Sequence, residues 1–240
     1  KDPFTISENL KSKFVLSCLN LAHKHALKKN VLGIINCPID KKLLKKNNFG
    51  VTDYLAAKCD IKDNSEVMLI GNSSLFVAPI TTHIDLKNVP KKIKKENIVK
   101  KIITIDRWFK SNYKKKPRIG ILGLNPHNAE LRKNSEERKV IIPAIKLIKK
   151  YGISLTGPLV SDTLFIKNYK NFDIIVGMYH DQVLTPFKTL FKYKAINITL
   201  GLKYCRVSPD HGTAVDLIKK NIADESSLIN CINFVNKYGK

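Results

Sequence analysis

The sequence predicts an α/β protein built on a largely parallel sheet. Apolar runs of strand length alternate with helical patterns from one end of the chain to the other. Two of those runs, Val31–Cys37 and Arg118–Leu124, are apolar almost throughout, as strands covered on both faces are. No internal repeat or low-complexity linker breaks the alternation. A chain of 240 residues can bury a sizeable core, as one large domain or as a single unit of two lobes.

The elements follow in order. Residues 7–29 read as an amphipathic helix, with Leu10, Phe14, Cys18, Leu21 and Ala22 at three-to-four spacing forming its core face. On that helix His23 and His25 stand two apart, so they point to different faces, and both read as solvated. Val31–Cys37 is the first strand, and Glu66–Ile70 and Leu75–Ile80 give two more. A lysine-rich helix fills 87–111, with Pro90 at or before its start because proline cannot donate in a helix interior. Arg118–Leu124 is a buried strand. Residues 135–150 form a helix with a polar first turn (Ser135, Glu137, Arg138) and a kink at Pro143. The loop Gly157–Asp162 precedes the strand Asp173–Met178. Ala195–Leu200 is a further strand, and helices near 212–220 and 225–237 close the chain.

The charge is extreme: 43 Lys and Arg against 20 Asp and Glu, a net +23. A polyanion partner is one reading. Yet only five of these residues are arginine, the preferred reader of base edges, and the lysines are spread along the chain. Lysine on solvated faces is therefore the reading adopted, and a nucleic-acid partner is not expected. No apolar run reaches the roughly 18–20 residues a membrane helix needs. Five scattered cysteines without a CxxC pair exclude a zinc finger and suit a reducing, cytoplasmic compartment. No GxGxxG opens a helix, so the motif of a Rossmann dinucleotide site is absent.

Three histidines share one topological position. His83 follows LFVAPITT, His127 follows RIGILGLNP, and His180 follows DIIVGMY, each a few residues past the carboxyl end of an apolar run. Ligands of open α/β sheets bind beyond those ends. Three imidazoles delivered there could converge on one ion with a position left open for substrate, and neutral imidazoles suit zinc, cobalt or nickel. The alternative is that each caps a helix or bonds a backbone carbonyl. His211 reads as a supporting residue at the entry to the next helix. Arg206 stands among Leu202, Tyr204, Cys205 and Val207, where an unpaired guanidinium is costly, so it needs an anionic partner from protein or ligand.

Five blocks occur in order: Gly123-Leu124-Asn125-Pro126-His127; Gly157-Pro158-Leu159 with Asp162-Thr163-Leu164-Phe165; Met178-Tyr179-His180-Asp181-Gln182; Asn197 to Leu202; and Asp210-His211-Gly212-Thr213-Ala214. Together they resemble the 4-hydroxythreonine-4-phosphate dehydrogenase family of pyridoxal phosphate biosynthesis, from about residue 7 to the end. The resemblance implies an isocitrate/isopropylmalate-dehydrogenase-like fold of two lobes with the active site in the cleft. It also implies a homodimer with each active site near the subunit interface. The implied reaction is NAD- or NADP-dependent oxidation of 4-phosphooxy-L-threonine, then loss of CO2 to leave 3-amino-2-oxopropyl phosphate. By the same resemblance His83, His127 and His180 hold a divalent metal (zinc, cobalt or magnesium). Thr52, Lys188, Asn197 and Arg206 bind the phosphorylated substrate, Lys188 and Asp181 serve catalysis, and Asp162 lies toward the cofactor.

Three departures from the family pattern matter. Val51 stands where the family has a substrate-binding histidine, and Asp53 replaces its glutamate. The stretch Asn128 to Lys133 replaces a glycine-rich one. The family's N-terminal segment, with its Gly-Asp-Pro-Ala-Gly type of opening, is missing. Three other readings therefore stay open: a dehydrogenase for phospho-threonate or phospho-erythronate, a basic nucleic-acid-binding protein, and a truncated, inactive dimer partner.

Overall fold

The structure, a computed structural model, describes residues 5–40, 42–44, 50–61 and 65–239. In chain order its elements are α1 (Glu8–Leu27), β1 (Ile34–Ile35), α2 (Val51–Lys58), β2 (Val67–Gly71) and β3 (Phe76–Thr81). Then come α3 (Val89–Lys92), α4 (Lys95–Tyr113), β4 (Ile119–Leu122), α5 (Ile142–Lys150), β5 (Leu155–Leu159) and the single turn α6 (Ser161–Thr163). The remainder is β6 (Ile174–Tyr179), α7 (His180–Phe191), β7 (Ile196–Leu200), β8 (Arg206–Pro209) and α8 (Ser226–Tyr238). The chain divides into two compact units: 1–62 with 196–240, and 63–195.

In the unit 63–195 the strands run in the order β2-β3-β6-β4-β5. The β2–β3 hairpin is antiparallel, and β3–β6, β6–β4 and β4–β5 are parallel. Every residue of β2, β3 and β4 is buried, which is why these segments read as apolar runs rather than alternating ones. Helix α4 covers the sheet with Ile98, Ile102, Ile105 and Phe109, one stripe at three-to-four spacing, and ends at Lys114 in the left-handed conformation. Helix α7 packs Val183, Leu184 and Phe187 against β3 and β6. Pro143 sits in the first turn of α5, where no N–H is needed, and the expected kink takes the form of a π-helical turn at Glu137–Ile141.

In the other unit β8 lies between β1, which it meets parallel, and β7, which it meets antiparallel. Helix α8 packs on all three. Ala26, Ile34, Cys59 and Tyr204 form a small core.

Four expectations are corrected. The first half of the loop expected at Gly157–Asp162, Gly157–Leu159, belongs to β5; Gly157 and Pro158 hide it, yet this strand ends the order, where a missing N–H costs nothing. The strand expected over 31–37 contracts to Ile34–Ile35, and Val31 and Leu32 are exposed. The helix near 212–220 is only a 3₁₀ turn at Val215–Leu217, closed off by positive φ at Ala214 and Lys219. Helix α1 has the expected period but not the expected face. Leu10, Phe14, Cys18 and Leu21 are exposed, and Leu19, His23 and Ala26 are buried. His23 is thus not solvated: its Nδ1 lies 2.9 Å from the Tyr204 hydroxyl, and burial, then Lys58 and Lys203, lowers its pKa.

Candidate active site

Strand pairing brings together the candidates of the unit 63–195. In the β3–β6 pair Thr81 stands opposite Tyr179, and the Thr81 hydroxyl donates to the Met178 carbonyl at 2.8 Å. His83 leaves β3 two residues later with φ 43, and His180 follows β6 directly as the first residue of α7. Their ring centroids come to 5.6 Å. A cavity of about 190 Å³ opens there, lined by Thr81, His83, Leu86, Tyr179, His180 and Asp181 among others. The His180 Nδ1–H donates to the Asp181 carboxylate at 2.7 Å, which fixes the ring and leaves Nε2 as a lone-pair donor toward a metal. Two imidazoles and an orienting carboxylate suit a divalent ion in donor type.

The other candidates of this unit lie elsewhere on it. Asp162 is exposed on α6, and Lys188 is half-buried two turns along α7 from His180. His127 is exposed and does not line the cavity. Among the described residues no three His, Cys, Asp or Glu side chains stand close enough to hold one ion. His127 opens a left-handed turn in which five successive non-glycine residues, His127 to Leu131, have φ between 46° and 57°. This is the stretch where the family resemblance leads one to expect glycines. Left-handed backbone costs an L-residue about 1–2 kcal/mol. Glu130→Gly, at an exposed position of this turn, is therefore expected to stabilise the chain. The gain is about 0.5–1 kcal/mol, since greater freedom of the unfolded glycine offsets part of the relief. Urea unfolding measures it, and a lowered midpoint would argue against the strain.

A separate group of candidates belongs to the other unit. Thr199 and Arg206 face each other across β7 and β8, and Asn197 lies opposite Ser208 on the same face. Arg206 is 3% exposed. Its Nε donates to Asn36 Oδ1 at 2.7 Å, and a terminal nitrogen donates to the hydroxyls of Thr199 at 2.8 Å and Thr52 at 3.4 Å. Every one of these acceptors is neutral. Burial accordingly pulls the guanidinium down to about 10. Asn197 is half-buried, and its Oδ1 is shut off from solvent without a hydrogen-bond partner among the described residues. Thr52 stands in the first turn of α2, where Asp53 accepts the Gly50 N–H at 3.0 Å and Val51 offers no polar group. His211 is exposed and bonds the carbonyl of Gly212 at 2.8 Å.

The structure thus brings His83, His180 and Asp181 together in one unit, and Thr52 and Arg206 together in the other. The sequence reading missed Asn36 and Thr199. Thr199 carried a signal, since it lies two residues from Asn197 and shares its face; Asn36, 170 residues from Arg206, carried none.

Residues 4–235 match the family described as pyridoxal phosphate biosynthetic protein PdxA. A 4-hydroxythreonine-4-phosphate dehydrogenase of Sulfurihydrogenibium sp. is 47% identical over 219 residues, which is 89% of this chain and 67% of that protein. The crystal structure of the 4-hydroxythreonine-4-phosphate dehydrogenase of Klebsiella pneumoniae superposes with a TM-score of 0.82 at 31% identity, covering 95% of this chain and 71% of that one. A β-decarboxylating dehydrogenase of Thermococcus kodakarensis shares the fold, with a TM-score of 0.51 at 12% identity over 77% of this chain and 59% of its own. With the histidine-bearing strand ends, the buried arginine and these matches in hand, the chain belongs to the PdxA family.

Proposed function

We propose that this chain is a dehydrogenase of pyridoxal phosphate biosynthesis. In this reading it oxidises 4-phosphooxy-L-threonine with NAD or NADP as hydride acceptor, and the product loses CO2 to give 3-amino-2-oxopropyl phosphate. The observation that carries it is the register of β3 against β6, which sets His83 beside His180 in a chain whose relative at 47% identity bears that activity in its name.

His83 and His180, with His127 as the third donor, would hold a divalent ion. When bound, such an ion would supply Lewis-acid charge to the hydroxyl oxygen on the carbon being oxidised. The chain's own residues do the rest. Asp181 holds the His180 ring in the tautomer that presents Nε2. Arg206 offers a planar fork to an anionic group of the substrate, and among the described residues its hydrogen-bond partners are neutral. Thr52 and Asn197 add a hydroxyl and a side-chain amide, and Lys188 adds an ammonium for a second anionic group. Asp162 is assigned toward the cofactor. A homodimer with its active sites at the subunit interface completes the proposal. Among the described residues no helix is long and apolar enough to cross a membrane, and five unpaired thiols suit the reducing cytoplasm.

Val51 favours a second reading, a phosphorylated sugar acid such as phospho-threonate or phospho-erythronate, because it brings no donor to the place beside Thr52. One experiment separates the two. The cobalt- or zinc-loaded chain is assayed for NADH or NADPH with each phosphorylated acid, beside a His127→Ala variant. Turnover of 4-phosphooxy-threonine is expected, with ion and activity both lost in the variant. Exclusive turnover of a sugar acid overturns the first reading. Full activity in the variant removes His127 from the site.

A further inference from the structure

The segment Gly123–Asn125 links β4 to His127, and three of its successive backbone groups are taken up by two buried side chains. Glu137 is fully buried, at 0% exposure. Its Oε1 accepts the Leu124 N–H at 2.8 Å and the Asn125 N–H at 2.7 Å, and the Asn125 side-chain amide donates to its Oε2 at 3.1 Å. Gln182 is 9% exposed. Its Nε2 donates to the Gly123 carbonyl at 2.7 Å, and its Oε1 accepts the Met178 N–H at 2.7 Å. One amide therefore ties the end of β4 to the end of β6, the strands that lead into His127 and His180.

A side chain at Gly123 has no room, because a Cβ there would fall 2.0 Å from Asn128 Oδ1. Asn128 in turn donates to the Pro158 carbonyl at 3.0 Å, which holds the left-handed turn from its far side. Burial would push the Glu137 carboxyl up, yet the bonds from the main chain and side chain of Asn125 bring it net below the usual carboxylate range. A buried carboxylate satisfied in this way is a stiff clamp, because letting go of any bond leaves charge or amide stranded without water.

We infer that Glu137 and Gln182 are positioning residues that fix the course of Gly123–Asn125 and so set where His127 stands relative to the end of β6. The assignment rests on the metal reading above. It asks that the imidazole placement, not merely the fold, depend on these two side chains.

The test is a cobalt titration of the full chain, followed by visible d–d absorption, on the wild type, Glu137→Gln, Gln182→Met and a control, Ile148→Val. Ile148 is fully buried in α5 and belongs to neither clamp. In Glu137→Gln the new amide nitrogen faces the Asn125 amide donor, and in Gln182→Met both bridging bonds are gone. Both variants are expected to bind cobalt about 10–100-fold more weakly, the range seen for partners that orient metal ligands. In the metal-free state the Leu124 and Asn125 amides of Glu137→Gln should exchange faster with solvent. Ile148→Val should melt lower while keeping wild-type cobalt affinity. Equal cobalt affinity in the wild type and both variants overturns this assignment alone. A wild type that takes up no cobalt overturns the metal reading and this assignment with it. Should Glu137→Gln fail to fold, Gln182→Met, which removes only neutral bonds, decides by the same criteria.

Discussion

Arg206→Met is expected to weaken substrate binding about a hundredfold while leaving the chain at least as stable as the wild type. The loss follows from the value of a charge-assisted contact to an anion in a buried place, about 2–5 kcal/mol, at 1.4 kcal/mol per decade. Stability should move the other way, or not at all. Arg206 is 3% exposed, and its acceptors, Asn36, Thr199 and Thr52, are neutral, so the folded chain carries the desolvation cost of a cation that has no counter-ion among the described residues. Methionine is unbranched, fills a similar space and removes that cost. Isothermal titration with the phosphorylated substrate and a thermal melt read the two effects separately. Unchanged affinity removes Arg206 from the substrate site. A large drop in melting temperature would mean that its bonds to the two threonines and Asn36 outweigh the buried charge.

His180→Ala is expected to abolish metal retention on dialysis and, with it, turnover. The ring is one of two imidazoles at the cavity, and Asp181 holds it at 2.7 Å, so the deletion removes a donor together with its orienting partner. Since disturbing an orienting partner alone costs about 10–100-fold in metal affinity, loss of the ligand itself should exceed a hundredfold. His211→Ala is the matched comparison: that ring is exposed and bonds the neighbouring Gly212 carbonyl, so metal content should not change. Metal analysis after dialysis decides. A His180→Ala chain that keeps its ion would end the reading of this cavity as a metal centre.

What the sequence made legible was local. β3 and β6 announce themselves as apolar runs, and the histidine past each end is visible by counting along one segment. Their mutual approach adds a single step, the pairing of neighbouring parallel strands. The failures share a cause, which is that the deciding contact is distant or the backbone unusual. Helix α1 shows apolar residues on more than one side, and its buried face carries His23 and Ala26, which meet Tyr204 and its neighbours. β5 is disguised by Gly157 and Pro158, and the residues near 212–220 hold a helical pattern that positive φ at Ala214 and Lys219 defeats. Glu137 read only as part of a polar first turn. That it would be fully buried, bonded to two main-chain amides a dozen residues upstream, has no signature in spacing.

The pairing of Thr81 with Tyr179 also limits how this chain can change in length. One residue, Thr82, separates Thr81 from His83, and none separates Tyr179 from His180. An insertion or deletion at either junction would swing one imidazole away from the other, however well the sheet itself survived. At the opposite ends of the same strands, in the turn before Phe76 or the loop before Ile174, extra residues would pass without consequence for the rings. Natural drift in chain length should therefore collect on that side of the sheet.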